Sequence, residues 1–277
     1  MKIIVKLCMI VLFQAFIVGC ASMPANKQMT DNQSPDTLFQ YATINALLAG
    51  LYDGDLKINA LAEKGDFGLG TFNTLDGEMV VLDGIVYRVS IDGKARIVAV
   101  DDQTPFSTVA FFQPDSAFTL PAGLDYNALK KKLDDQANEP NRMVAFRVDG
   151  LFQAMKVRSV PAQSKPYRPL AQVVKDQAVF DYQNIRGTLV GFRLPAMMSG
   201  LNVPGYHFHF LDDTRQLGGH VLSLSTGTNN RTQVDVLHSF HLQTPVSSEF
   251  GHYVTGKNTK KDLHRVERDQ QYSGQGH

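Results

Sequence analysis

Three of the chain's eight histidines fall in the single span Leu201 to Leu222, LNVPGYHFHFLDDTRQLGGHVL. In an extended strand residues i and i+2 point to the same face, so His207 and His209 would project together. Between them and His220 runs DDTRQLGG, a polar, glycine-ended segment of the kind that reverses a chain between strands. A hairpin would bring His220 back beside the pair. Three neutral imidazoles converging from two neighbouring strands form a nitrogen face for zinc, with the remaining positions open to water or substrate, which is the catalytic arrangement and not the closed structural one. The competing reading makes these histidines, alternating with Phe208 and Phe210, the lining of a half-polar strand face. Thiolate ligation is not available, because the only two cysteines, Cys8 and Cys20, belong to the N-terminal segment.

The elements that must position such a face read as β-rich. GEMVVLDGIVYRVSIDGKARIVAV alternates β-branched residues with Asp83-Gly84 and Asp92-Gly93, strong hairpin signals. MVAFRVDGLFQAMKVRSV, AVFDYQNIRGTLVGFRLP and the histidine hairpin are strand-like, and TQVDVLHSFHLQTPV is a further candidate. Helical spacing marks TLFQYATINALLAGLYDG near Asp36, LDYNALKKKLDDQAN before Pro140, and Thr259 to Asp269 with Leu263 and Val266 on one face. The expected fold class is α+β: two subdomains of mixed or antiparallel sheet, few helices, and a metal site between them. No dinucleotide fingerprint, nucleophile elbow or P-loop is present. With 27 basic and 27 acidic residues and no basic run, nothing favours a nucleic-acid partner.

The first twenty residues read as an export signal: Lys2 and Lys6 precede an apolar run, Leu7 to Val18, too short for a membrane span. The run ends in Ile17-Val18-Gly19-Cys20, which resembles the bacterial lipobox, in which the cysteine is lipidated and becomes the mature N-terminus. Residues 21–35 are polar and read as a flexible tether, residues 36–269 as the folded domain, and 270–277 as a polar tail. The expected location is an exported, lipid-anchored one, periplasm-facing or at the outer membrane in a Gram-negative cell.

Several separated motifs agree with one family. GLGTFNTLDGEMVVLDGIVYR, VRSVPAQSKPYRPL and GTLVGFRLPAMMSGLNVPGYHFHFLDDTRQLGGHVL together resemble the acetolactate decarboxylases, in register from Gly65 to His220. That resemblance implies a Zn2+ held by His207, His209 and His220. It implies active-site acids at Glu78, in LDGEMV, and at Glu267, in LHRVE, the latter with a one-residue shift. It implies an active-site arginine at Arg158, in KVRSV, and a substrate-side threonine at Thr71. It also implies two β-rich subdomains meeting near the metal, and assembly as a homodimer.

The implied reaction suits these residue types. Loss of CO2 from 2-acetolactate leaves an electron pair that must be delocalised onto the neighbouring ketone, giving an enediolate. Zinc would act as a Lewis acid there, Arg158 would add planar hydrogen bonds, and Glu78 would deliver the proton that yields acetoin. Judged singly, Glu78 reads as a turn carboxylate, Glu267 as an exposed helix charge, and Arg147 competes with Arg158. The alternatives are a cupin-like metal protein, or a surface lipoprotein that binds a metal or small ligand without decarboxylase activity.

The tether separates anchor from domain, so Cys20→Ser is expected to abolish lipidation and leave catalysis intact. Membrane fractionation decides it: a variant partitioning with membranes as the wild type does would contradict the lipobox.

Overall fold

The structure is a computed structural model that describes residues 36–254 and 259–267. The expected leader, tether and tail lie outside the described residues. None of the described helices is long and apolar enough to cross a membrane.

Along the chain the strands are β1 (Thr37–Tyr41), β2 (Leu56–Lys57), β3 (Phe67–Thr71), β4 (Glu78–Leu82), β5 (Ile85–Val89), β6 (Ala95–Ile97), β7 (Gln103–Thr104), β8 (Ser107–Ala110) and β9 (Ser116–Leu120). After them come β10 (Met143–Ser159), β11 (Ala178–Leu194), β12 (Gly205–Asp212), β13 (Gly218–Thr226), β14 (Asn230–Leu237) and β15 (Ser239–Gln243). Six α-helices among the described residues accompany them: α1 (Ile44–Ala49), α2 (Ile58–Ala62), α3 (Tyr126–Gln136), α4 (Leu170–Val173), α5 (Ser248–His252) and α6 (Thr259–Glu267).

Two sheets result. The first has seven strands in the order β15-β1-β8-β3-β4-β5-β6, antiparallel except where β1 runs parallel to β15. The second has six in the order β11-β12-β13-β10-β14-β9, and β10 also pairs with β11 along a long antiparallel ladder. The chain crosses from the first sheet to the second between β8 and β9 and returns between β14 and β15. The proline-flanked stretch 161–169 therefore does not divide them.

The sheets are held face to face by an apolar core in which Val80, Leu82, Tyr87 and Val89 of the first meet Val190, Phe192 and Leu211 of the second. On the far side of the second sheet α3 buries Leu129 and Leu133, its start fixed by the Asp125 carboxylate, which accepts from the Ala128 N–H at 2.8 Å. A third apolar cluster gathers α1, α4 and α6 at one end of the seam between the sheets.

The hairpin signals are realised. Asp83 and Gly84 take φ of 54° and 77°, the left-handed pair that a two-residue turn between β4 and β5 needs. The helix expected near Asp36 starts late: Thr37–Tyr41 is a strand, and the helix begins only at Ile44, after the Thr43 side chain accepts from the Ala46 N–H. Apolar residues such as Leu38 and Phe39 fit either period. The partners β8 and β15, distant in sequence, decide for the strand by burying both of its faces. The run near Thr232 is two strands, β14 and β15, divided at His238 where the chain changes sheets.

The turn joining β12 to β13 is built on Asp212. Its Oδ1 accepts from the N–H groups of Gln216 (2.8 Å) and Leu217 (2.7 Å), and its Oδ2 from the N–H (3.2 Å) and hydroxyl of Thr214. This buried carboxylate sets the register in which His209 faces His220. Asp212→Ala is expected to lower stability by about 1–3 kcal/mol, the range for leaving buried donors without a partner. Denaturant melts at a fixed metal load measure it, and an unchanged midpoint would remove the turn from this role.

Candidate active site

His209 and His220 are direct cross-strand partners on β12 and β13, and His207 lies two residues along β12 on the same face. Ring centroids are 5.1 Å apart for His207 and His209, 4.9 Å for His207 and His220, and 5.3 Å for His209 and His220. One ring nitrogen from each lies within 4.8 Å of the other two, the spacing of a group that could hold a metal ion.

The unsatisfied atoms point the same way. His209 Nδ1 sits 2.7 Å from the Met79 carbonyl, which can only accept, so Nδ1 carries the proton and Nε2 presents its lone pair to the site. That Nε2 is buried without a hydrogen-bond partner, as are His220 Nε2 and His207 Nδ1. His207 Nε2 lies 3.1 Å from His220 Nδ1. Burial first, and the charge of Arg158 next, push the His207 imidazole down to about 3, and burial likewise holds His209 and His220 well below their ordinary range. All three are thus neutral, the form that binds a metal. Buried nitrogens lacking partners on three convergent neutral rings fit a divalent ion with nitrogen ligands.

The acids and the arginine enter from other elements. Glu78 opens β4, opposite Thr71 in the ladder, and the Thr71 hydroxyl donates to the Gly77 carbonyl at 2.7 Å. Gly77 has φ of 84°, and a Cβ there would lie 2.4 Å from the Val89 carbonyl oxygen, so the turn into Glu78 admits only glycine. Arg158, on β10 beside His220, donates through Nη1 to Glu78 Oε1 at 2.7 Å. The other Glu78 oxygen lies 3.7 Å from His209 Nε2. At the next residue of β10 the Ser159 hydroxyl donates to the Val89 carbonyl at 2.8 Å, tying the two sheets beside this pair.

Glu267 arrives on α6, which seats Val266 and Leu263 against the cluster of α1 and α4. Its Oε2 lies 3.9 Å from both His207 Nε2 and His220 Nε2, and Arg158 Nη2 donates to the Val266 carbonyl at 3.4 Å. Burial pushes the Glu78 and Glu267 carboxyls up to about 7, although Arg158 pulls both down, and Glu267 raises Glu78 further. These groups line one cleft whose remaining wall is apolar, including Leu47, Leu75, Phe106, Val160 and Leu170.

All seven residues singled out in the sequence, Thr71, Glu78, Arg158, His207, His209, His220 and Glu267, border this cleft. Arg147 does not. It donates to Asp149 and Asp83 away from the cleft. Asp212 serves the turn, His238 is exposed, and His241 packs edge-on against Phe39. Sequence reasoning missed the Met79 carbonyl that sets the His209 tautomer, the Val266 carbonyl that receives Arg158, and the apolar wall. Backbone acceptors carry no residue-type signal, and the wall residues are ordinary core types.

The sequence model of the alpha-acetolactate decarboxylase family matches residues 38–254. The chain belongs to this family. It is 44% identical over 237 residues to the alpha-acetolactate decarboxylase of Methanosarcina mazei, covering 86% of this chain and 82% of that one. To the alpha-acetolactate decarboxylase of Brevibacillus brevis it is 36% identical over 263 residues, covering 92% of each. The crystal structure of alpha-acetolactate decarboxylase from Bacillus subtilis strain 168 superposes with a TM-score of 0.82 at 36% identity, covering 84% of this chain and 100% of that one. A Staphylococcus aureus protein described as similar to alpha-acetolactate decarboxylase superposes at 0.80 with 30% identity, covering 83% of this chain and 100% of that one. Family membership makes the chain an enzyme of the carboxy-lyase type. The segment carrying Glu267 lies beyond the residues matched to the family model, and its place in the site comes from the packing of α6.

Because the histidines are already neutral, the protons that a divalent ion must displace are those of Glu78 and Glu267. Both carboxyls, near 7, are largely protonated at pH 6 and ionised at pH 8.5. Loading metal-free protein with Zn2+ is expected to release between one and two protons at pH 6 and close to none at pH 8.5. Calorimetry in buffers of different ionisation enthalpy reads the count, and pH-independent release would contradict the assignment.

Proposed function

We propose that this enzyme decarboxylates 2-acetolactate to acetoin and CO2 in a zinc-dependent reaction. One observation carries the reading: the buried Arg158–Glu78 pair stands against three neutral histidines, all with unpartnered nitrogens, in a cleft that is otherwise apolar. Simple binding of a metal needs neither a fixed cation nor a protonated carboxyl beside it. The names and identities of the relatives support the same substrate.

His207, His209 and His220 would hold the zinc, with Glu78 and Glu267 close enough to complete its shell. Bound there, the ion supplies Lewis-acid stabilisation of the negative charge that develops on the substrate's ketone and hydroxyl oxygens. Arg158 is permanently charged and keeps a buried Nε–H without a partner, so it can receive the substrate carboxylate while Nη1 holds Glu78. The bond from C2 to the carboxylate breaks, CO2 leaves, and the electron pair passes to the ketone oxygen as an enediolate. Arg158 is placed to stabilise that charge, in an apolar cleft where such an interaction is stronger than in water.

The product needs one proton at C2. Glu78, raised to about 7 by burial in the absence of an ion and held in place by Arg158, can take up a proton at neutral pH when its carboxyl leaves the ion's shell, and it is the group placed to deliver that proton. Thr71 spends its hydroxyl proton on the Gly77 carbonyl, which leaves its lone pairs to accept from the substrate hydroxyl. The apolar wall excludes water from the carbanionic stage. The lipobox at Cys20 supports attachment of this domain to a membrane surface.

The test is acetoin and CO2 formation by residues 21–277, before and after chelation and after return of Zn2+. Activity undiminished in metal-free protein would exclude the zinc-dependent reaction. Glu78→Gln keeps size and one ligating oxygen but removes the titrating proton. It is expected to retain most of the metal while kcat falls about a hundredfold or more. Near wild-type turnover would take Glu78 out of the proton transfer.

A further inference from the structure

The turn between Thr71 and Glu78 is strained. Thr74 and Leu75 are successive left-handed residues, with φ of 61° and 58°. Residues with side chains seldom occupy this region, and a β-branched one such as Thr74 least of all. Such strain persists only where the surroundings over-determine the backbone.

They do so here. The Thr74 N–H donates to the Tyr52 carbonyl at 2.9 Å, and the Thr74 carbonyl accepts from the Gln163 N–H at 2.7 Å. The preceding Asn73 is clamped to Gly54 twice, its Oδ1 accepting from the Gly54 N–H at 2.8 Å and its Nδ2 donating to the Gly54 carbonyl at 2.9 Å. At the other end the Gly77 N–H donates to the Leu75 carbonyl at 3.0 Å. A glycine at either strained position would relieve the turn, as Gly77 does two residues on.

The strain has one visible product: it seats the Leu75 side chain, 2% exposed, in the wall of the cleft that holds the three histidines. None of the other apolar residues bordering that cleft has positive φ. The polar groups of a 2-hydroxy-3-oxo acid are taken up by Arg158 and the histidine and carboxyl side of the cleft. Only the alkyl groups are left for the apolar wall.

We infer that Leu75 is the specificity-determining residue of the site, its side chain setting the size limit for the alkyl substituents of the 2-hydroxy-3-oxo acid. This rests on the reaction proposed above. A wall side chain on a turn bonded to Tyr52, Gly54 and Gln163 cannot withdraw when a longer alkyl group arrives, because a close-packed interior answers overfilling with strain. An apolar pocket of this kind discriminates by about 10- to 200-fold per methylene.

The experiment compares zinc-loaded wild type, Leu75→Ala and Leu75→Met on 2-acetolactate and two probes. One probe carries n-propyl in place of the C2 methyl, and the other carries a butanoyl in place of the acetyl group. Leu75→Ala is expected to raise kcat/KM for one or both probes, relative to 2-acetolactate, by about tenfold or more, chiefly through KM. Leu75→Met conserves volume and is expected to keep the wild-type ratio. Should Leu75→Ala not fold, Leu75→Val is expected to move the ratio in the same direction. Unchanged ratios overturn the inference, as does a uniform loss on all three substrates together with loss of zinc, which would make Leu75 a support of the fold. A wild-type enzyme inactive on 2-acetolactate would overturn the reaction itself and this inference with it, an outcome distinct from an active enzyme with an unchanged ratio.

Discussion

The ion pair between Arg158 and Glu78 is the constraint around which the site is organised. Its side chains are only 5% and 7% exposed, and its partners come from different sheets. Truncating one member of such a pair leaves an uncompensated buried charge, at a cost of about 3–5 kcal/mol. The two sheets must therefore meet in one register at this point. The Ser159 hydroxyl on the Val89 carbonyl and the His209 ring on the Met79 carbonyl are further polar ties across the same seam. Apolar packing between Val80, Leu82, Val190 and Phe192 brings the sheets together, but it is non-directional, and directional contacts such as these, with Arg147 on Asp83 and the Ala95 N–H on the Gln216 carbonyl, give the seam its alignment.

Electrostatics in the cleft follow from burial. The same desolvation that keeps three imidazoles neutral pushes two carboxyls up to about 7, and the guanidinium between them is the only fixed charge in the cleft lining. Arg158 opposes protonation of the histidines and favours ionisation of the acids, so it prepares both sets for a cation. In the absence of an ion, each carboxyl near 7 favours the folded state below its unfolded range, and that contribution is lost as pH rises through 7. The histidines act in the opposite sense, favouring the folded state above 6.5 and losing that contribution as pH falls. A divalent ion held by the three histidines would relieve the conflict on the alkaline side and would couple folding of this seam to metal.

Tight backbone geometry is concentrated where the site is built. Gly77 lies against the Val89 carbonyl, Gly219 with φ of 144° lies one residue before His220 against the Arg158 carbonyl, and Thr74 and Leu75 occupy left-handed space beside the cleft. At Gly219 two strands that carry active-site groups approach more closely than a side chain would allow, and at Gly77 and the Thr74–Leu75 turn the constraint lies in the chain that leads into Glu78 and the cleft wall. Such close approach limits which substitutions the lining can accept.

The sequence by itself determined the histidine face and most of the strands. A period of two and a polar turn are local properties, so the convergence of His207, His209 and His220 follows from residues within one hairpin. The Asp-Gly turns are local in the same sense. Long motif matches named Thr71, Glu78 and Arg158, which taken singly are a turn residue, a turn carboxylate and one of several strand arginines. Only the tertiary structure decided that Arg158 and not Arg147 is the buried partner of Glu78, 80 positions away in the chain. It decided that Thr37–Tyr41 is a strand, since β15, which pairs with it, comes from the far end of the domain. It placed Glu267, an exposed helix charge by sequence, 3.9 Å from two histidines, because Leu263 and Val266 dock α6 on α1 and α4. Contacts between segments distant in sequence depend on how apolar faces pack, and that packing leaves no periodic signature in any one segment.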